Sequence, residues 1–157
     1  MTCVFKVAIV GCGAVAQLHA ETLQSRADVS LVGVCDILPE RAEQLRNKFA
    51  PDAKVFRDYL ALLDEVKPDV VHICTPHYLH AEMAIAALRR DIHVMLEKPV
   101  CINEKQIRAM LEAEKESAAS ICVAVQNRAL ARNRRVKELI ESGEAGKVLF
   151  ASGRVCW

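Results

Sequence analysis

Short, uninterrupted apolar runs recur along the chain, separated by segments whose apolar residues return at helical spacing. The runs are Val4–Val10, Val29–Cys35, Val70–Cys74, Ile92–Leu96 and Ile121–Val125, with Lys54–Phe56 as a shorter candidate. Between them the pattern predicts helices over Ala14–Ser25, with Val15, Leu18 and Leu23 on one side, and over Pro39–Phe49, where Pro39 suits a first turn. A helix over Tyr59–Val66 must stop before Pro68. Leu79–Arg90 follows, with Met83, Ala84, Ala87 and Leu88 inward. Asn103 and Gln106 are spaced as a capping box that opens a helix to about Ser117. Leu130–Ser142 is a last helix, ended by Gly143, and Lys147–Trp157 is expected to begin a final strand.

Strands therefore alternate with helices, and the strands are continuous rather than alternating in polarity. A strand covered on both faces reads that way, because neither face meets water. The expected fold is α/β, a doubly wound parallel sheet.

Composition narrows the picture. With 157 residues the chain has the length of about one domain, and its formal net charge of +1 shows no nucleic-acid footprint. Arg128, Arg132, Arg134, Arg135 and Lys137 form the one basic cluster, read as a solvated helix face. No apolar run has membrane-spanning length, and Met1–Val10 lacks the pattern of a signal peptide. The 7 cysteines (3, 12, 35, 74, 101, 122 and 156) include no C-x-x-C pair and no metal-type cluster with histidines, so reduced, cytoplasmic thiols and no metal site are expected.

The first turn carries the chemistry. Gly11-Cys12-Gly13-Ala14-Val15-Ala16 is a G-x-G-x-x-A sequence between a strand and a helix, the context of a dinucleotide-binding (Rossmann) turn. Gly11 would make the turn, Gly13 would let the backbone approach a pyrophosphate, and Ala16 would keep the helix close to the sheet. The helix N-terminus offers unpaired N–H groups and partial positive charge. Asp36 ends the second run, where an acidic residue accepts ribose hydroxyls; its alternative use is to cap the next helix. A carboxylate there favours NAD over NADP by charge, although Arg41 nearby softens the preference.

Further motifs resemble one family, the Gfo/Idh/MocA oxidoreductases. The glycine turn continues to His19, giving G-x-G-x-x-A-x-x-H; Thr75-Pro76 with His80 is similar to the family's T-P-x-x-x-H; Glu97-Lys98-Pro99 matches its E-K-P; and Gln126-Asn127-Arg128 resembles its Q-N-R segment. The resemblance covers almost the whole chain. It implies that Cys74, Thr75, Pro76 and His80 stand at the cofactor cleft, that Glu97 and Lys98 lie near the nicotinamide ribose and the substrate, with Lys98 the catalytic residue, and that Gln126 and Asn127 lie near the nicotinamide. It also suggests a cis Lys98–Pro99 bond. Departures are His77 where Asn is frequent, and Ala129-Leu130 where an aromatic often follows Q-N-R.

Residues 1–125 are thus expected to form the dinucleotide-binding domain, and 126–157 a connecting helix and the first strand of an α+β substrate domain that the family carries beyond this point. The expected function is the cofactor half of an NAD(P)-dependent dehydrogenase acting on a hydroxyl-bearing small molecule, a sugar or cyclitol, poorly active alone and self-associating through its C-terminal strand. The alternative from another class is a non-catalytic NAD-binding sensor or scaffold.

Overall fold

A computed structural model describes residues 4–154. These form two compact units that divide between Ala124 and Val125. The first holds a sheet of 6 parallel strands: β1 (Phe5–Val10), β2 (Val29–Cys35), β3 (Lys54–Phe56), β4 (Val70–Ile73), β5 (His93–Leu96) and β6 (Ile121–Val123), in the order β3-β2-β1-β4-β5-β6. Connecting them are α1 (Ala14–Gln24), α2 (Pro39–Phe49), α3 (Tyr59–Val66), α4 (His80–Leu88) and α5 (Glu104–Lys115). Strand order reverses between β1 and β4, which makes their carboxyl ends the switch point of a doubly wound sheet.

Two apolar cores explain the continuous runs. Along β1, Val7 and Ile9 pack into the layer of α1 and α2, whereas Ala8 and Val10 pack into the layer of α3, α4 and α5. Every one of these side chains is buried, so neither face could be polar. The β1–β2 register shifts between Val7 and Ala8, which passes over Val32.

Local signals place most boundaries. Asn103 accepts the Gln106 N–H at 2.9 Å, and the Gln106 side chain accepts from the Ile102 N–H, so the expected capping box closes one residue further back than in its usual form. Pro39 stands in the first turn of α2, and α3 ends where Lys67 turns left-handed ahead of Pro68.

Two expectations need correction. The buried face of α1 is Ala16, Ala20 and Leu23, while Val15 and Leu18 are 42% and 64% exposed. Small side chains let the helix axis approach the sheet, and that outweighs the pull of the larger residues. Secondly, 147–154 form no strand. A strand needs a neighbour for its N–H and C=O groups, and among the described residues 147–154 pair with none; Val155–Trp157 lie outside the described residues.

The second unit contains a 3-10 turn (Gln126–Ala129) and α6 (Ala131–Glu141). On α6 two of the basic cluster's residues pair along the helix surface, Arg135 with Glu138 and Lys137 with Glu141, each at 3.5 Å. That is the solvated face expected of the cluster, and such exposed pairs contribute little. Among the described residues no helix is long and apolar enough to cross a membrane.

Gly11 sits at the switch point with φ +86°, and a Cβ there would lie 2.8 Å from the Cys74 carbonyl and the Thr75 nitrogen. Gly11→Ala therefore faces both backbone strain and a clash with main chain, and is expected to lower stability by at least about 2 kcal/mol. Urea denaturation of the variant measures it.

Candidate functional site

Strand β1 ends at the centre of the sheet, and hydrogen bonds fasten the neighbouring strand ends around it. The Gly11 N–H donates to the Cys35 carbonyl at 2.8 Å, the Cys74 N–H to the Val10 carbonyl at 2.8 Å, and the Glu97 N–H to the Ile73 carbonyl at 3.1 Å. Above this row opens a cleft of about 380 Å³. The glycine turn forms its floor through Gly11 and Gly13, Asp36 and Arg41 stand along one wall with Arg57, and Cys74, Thr75 and Pro76 along the other.

Gly13 differs from Gly11 in kind. Its φ is −77°, and an added Cβ would meet nothing within 4 Å. The protein itself does not require glycine there; the vacant space opens on the cleft. Gly13 is also the N-cap of α1, with no side-chain cap and no acidic residue in the first turn, so the N–H groups of Ala14, Val15 and Ala16 lack side-chain partners. A bare helix start at an open floor fits an anionic group.

Asp36 is 9% exposed and already employed. One carboxylate oxygen accepts the Cys12 N–H at 2.8 Å and the other the Leu38 N–H at 2.9 Å. It stabilises both loops without capping α2, whose N-cap is Leu38, and each oxygen keeps a second lone pair for the cleft. Around it, Cys12 and Cys35 are pushed up to about 12 by burial first and by the Asp36 charge second. Cys74 is raised to about 12 by burial, then by Glu97. These thiols stay protonated, which removes them as nucleophiles. Among the described residues no group of His, Cys, Asp and Glu could hold a metal ion.

His80, expected among the cofactor-contacting residues, is instead 1% exposed beneath the cleft. Its Nδ1 lies 2.8 Å from the Pro99 carbonyl and its Nε2 2.9 Å from the Thr75 carbonyl. It ties together the two loops that border the site, a role that burial on the first turn of α4 imposes.

Lys98 is exposed at the end of β5, and the Lys98–Pro99 bond is cis. Its neighbour Glu97 does not pair with the ammonium. Glu97 meets His19 at 3.1 Å, with both side chains about 15% exposed or less, and its other oxygen accepts the Lys98 N–H at 3.2 Å. The His19 Nδ1 in turn lies 2.9 Å from Nδ1 of His72 on β4. His19 and Glu97 belong to motifs visible in the sequence; His72, whose only signal is that it interrupts an otherwise apolar run, and Arg57 in the cleft wall do not. Gln126 and Asn127 lie in the second unit; there the Asn127 carbonyl accepts from the Asn133 side chain at 2.7 Å.

Burial, and then His19, lower His72 from 6.5 to about 4. A folded-state value below the unfolded one means that the unfolded chain binds the extra proton between these limits. His72 therefore contributes stability above pH 6.5 that is lost as pH falls towards 4, up to about 3 kcal/mol. His72→Phe, which cannot titrate, is expected to remove that part of the acid sensitivity, as measured by urea denaturation at both ends of the window.

Known proteins share this architecture. D-glucoside 3-dehydrogenase of Escherichia coli is 33% identical over 150 residues, 95% of this chain and 42% of that enzyme. Inositol 2-dehydrogenase of Salmonella paratyphi B is 32% identical, over 95% of this chain and 45% of its own length. The crystal structure of the WlbA dehydrogenase from Bordetella pertussis, in complex with NADH and UDP-GlcNAcA, superposes with a TM-score of 0.85 at 28% identity, covering 91% of this chain and 43% of that one. The chain thus spans less than half the length of these relatives. The family model described as an oxidoreductase family with an NAD-binding Rossmann fold matches residues 5–125. That stretch takes in every strand of the sheet, and the chain accordingly belongs to the Gfo/Idh/MocA oxidoreductase family and carries its NAD-binding domain.

Proposed function

We propose that this chain is the cofactor-binding half of an NAD-dependent dehydrogenase whose substrate bears a hydroxyl group, a sugar or a cyclitol. The observation that carries the reading is the pairing of Gly11 and Gly13 at the switch point: one glycine is demanded by the fold, the other only by something that enters the cleft. The sugar and cyclitol dehydrogenases among the relatives support the substrate class.

In this reading the turn from Gly11 to Ala16 holds the pyrophosphate, with Gly13, Ala14, Val15 and Ala16 presenting backbone N–H groups. Asp36 accepts the adenosine ribose hydroxyls, and its two internal hydrogen bonds fix the direction of the free lone pairs. Cys74, Thr75 and Pro76 border the nucleotide on the β4 side, with His80 holding their loop from below. Glu97 and Lys98 stand towards the nicotinamide ribose and substrate. The bound nicotinamide supplies hydride acceptance and return. Lys98 orients the substrate hydroxyl, since an ammonium donates up to three hydrogen bonds, and only after giving up one of its own protons could its amine accept that of the hydroxyl.

Charge sets the cofactor preference. A 2′-phosphate about 5 Å from the Asp36 carboxylate is opposed by about 3 kcal/mol per charge pair at an effective dielectric near 20. Arg41 and Arg57 in the same wall reduce this, so NAD is favoured and NADP tolerated. The rest of the substrate pocket belongs to the α+β portion of the family's longer chains. Residues 1–157 by themselves are expected to bind NAD but turn over slowly, and to associate with further copies, which light scattering measures.

Calorimetric titration tests the cofactor assignment. Gly13→Ala is expected to keep its stability but lose at least about tenfold in NAD affinity, roughly 1.4 kcal/mol. Asp36→Asn is expected to shift the NAD/NADP affinity ratio towards NADP by at least about tenfold; an unchanged ratio would refute the ribose assignment. Lys98→Met in a catalytically competent longer form is expected to abolish turnover while NAD still binds.

A further inference from the structure

The turn, the cleft and Lys98 leave two partly buried polar side chains without a role, His72 on β4 and His19 on α1, and both lead to Glu97 after β5. They stand in one line. The His72 Nδ1 is 2.9 Å from the His19 Nδ1, and the His19 Nε2 is 3.1 Å from the Glu97 Oε1. The two imidazoles meet edge to face, with centroids 5.0 Å apart and planes at 82°.

With the His19 ring neutral, hydrogen-bond chemistry gives this line one direction. A carboxylate only accepts, so the His19 Nε2 must carry the proton that faces Glu97. In a neutral ring the His19 Nδ1 is then bare and must accept. The opposing His72 Nδ1 must therefore donate. His72 is held neutral well below physiological pH by its burial, so its single proton resides on Nδ1 and its Nε2 is bare. Free neutral histidine favours the Nε2–H form, and His72 is thus required to adopt the less common tautomer. Another titratable group at the line is Cys74, which burial and Glu97 keep as a thiol.

The line ends on the segment that bears Lys98. With one Glu97 oxygen taken by His19, the other is left to accept the Lys98 N–H. We infer that His19, held in turn by His72, is a positioning residue that fixes Glu97 and, through it, the backbone from which Lys98 reaches the substrate. The functional half of this inference rests on the assignment of Lys98 given above.

Nitrogen-15 spectra of the histidine rings in the intact chain at neutral pH test the direction. The expected result is Nδ1–H for His72 and Nε2–H for His19; Nε2–H on His72, or a cationic His72, would overturn the inference. Hydrogen exchange at the Lys98 amide tests the positioning. His19→Phe is expected to speed that exchange at least about tenfold, whereas His19→Gln, which keeps a donor for Glu97, is expected to restore most of the protection. Equal exchange in both variants and in the unaltered chain would refute the positioning role. If His19→Phe fails to fold, the tautomers of the unaltered chain still decide. None of these readouts depends on turnover, so a wrong assignment of Lys98 would leave them unchanged and appear only in the Lys98→Met comparison.

Discussion

The missing side chain at Gly11 is the constraint on which the site depends. It lets the end of β1 lie directly against the backbone of Cys74 and Thr75 as the chain leaves β4. With the two strand ends in contact, the N–H and C=O groups that would otherwise be stranded at the sheet's edge find each other across four neighbouring strands. The cleft then opens above that closed seam and does not run down between β1 and β4. A methyl group at this one position would push apart the two walls that every other feature of the site refers to.

Buried or half-buried polar side chains tie the loops above that seam. The Asp36 carboxylate joins the glycine turn to the start of α2, His80 joins the loop after β4 to the one after β5, and His19 joins α1 to Glu97. Among the described residues no buried side-chain nitrogen or oxygen lacks a hydrogen-bond partner. Low dielectric strengthens such bonds and makes an unpaired group costly, so each pairing confines its loop to a narrow set of arrangements. In this way a sheet whose core is almost wholly apolar holds polar chemistry in fixed positions along one edge. The same argument explains why the cysteines beside Asp36 stay inert: the apolar packing that builds the floor also keeps the thiols protonated.

Much of this was legible in the sequence where the determinants are local. The continuous run Val29–Cys35, the Pro39 start and the Pro68 stop fix elements through sterics and through burial on both faces. The glycine spacing together with Asp36 indicates a cleft and its charge, and Glu97-Lys98-Pro99 narrows the family. Where a local rule competed with packing, it failed. Val15 and Leu18 look like the inward face of α1, yet Ala16 and Ala20 are buried, because closeness of helix to sheet outweighs side-chain size. The 147–154 segment has strand composition, but a strand exists only with a partner.

By itself, then, the sequence determined the order of strands and helices, the parallel sheet that such an order requires, and the turn at which a nucleotide would enter. Only the tertiary structure decided which polar residues work together. His19 lies 53 residues from His72 and 78 from Glu97, and nothing in the spacing announces their line. It also decided that His80 faces carbonyls and not the cleft, and that Gly11 and Gly13, alike in the motif, serve different masters. The reason is physical: periodicity encodes which face of an element is dry, but the partners of a buried polar group are set by where the sheet brings distant strand ends together.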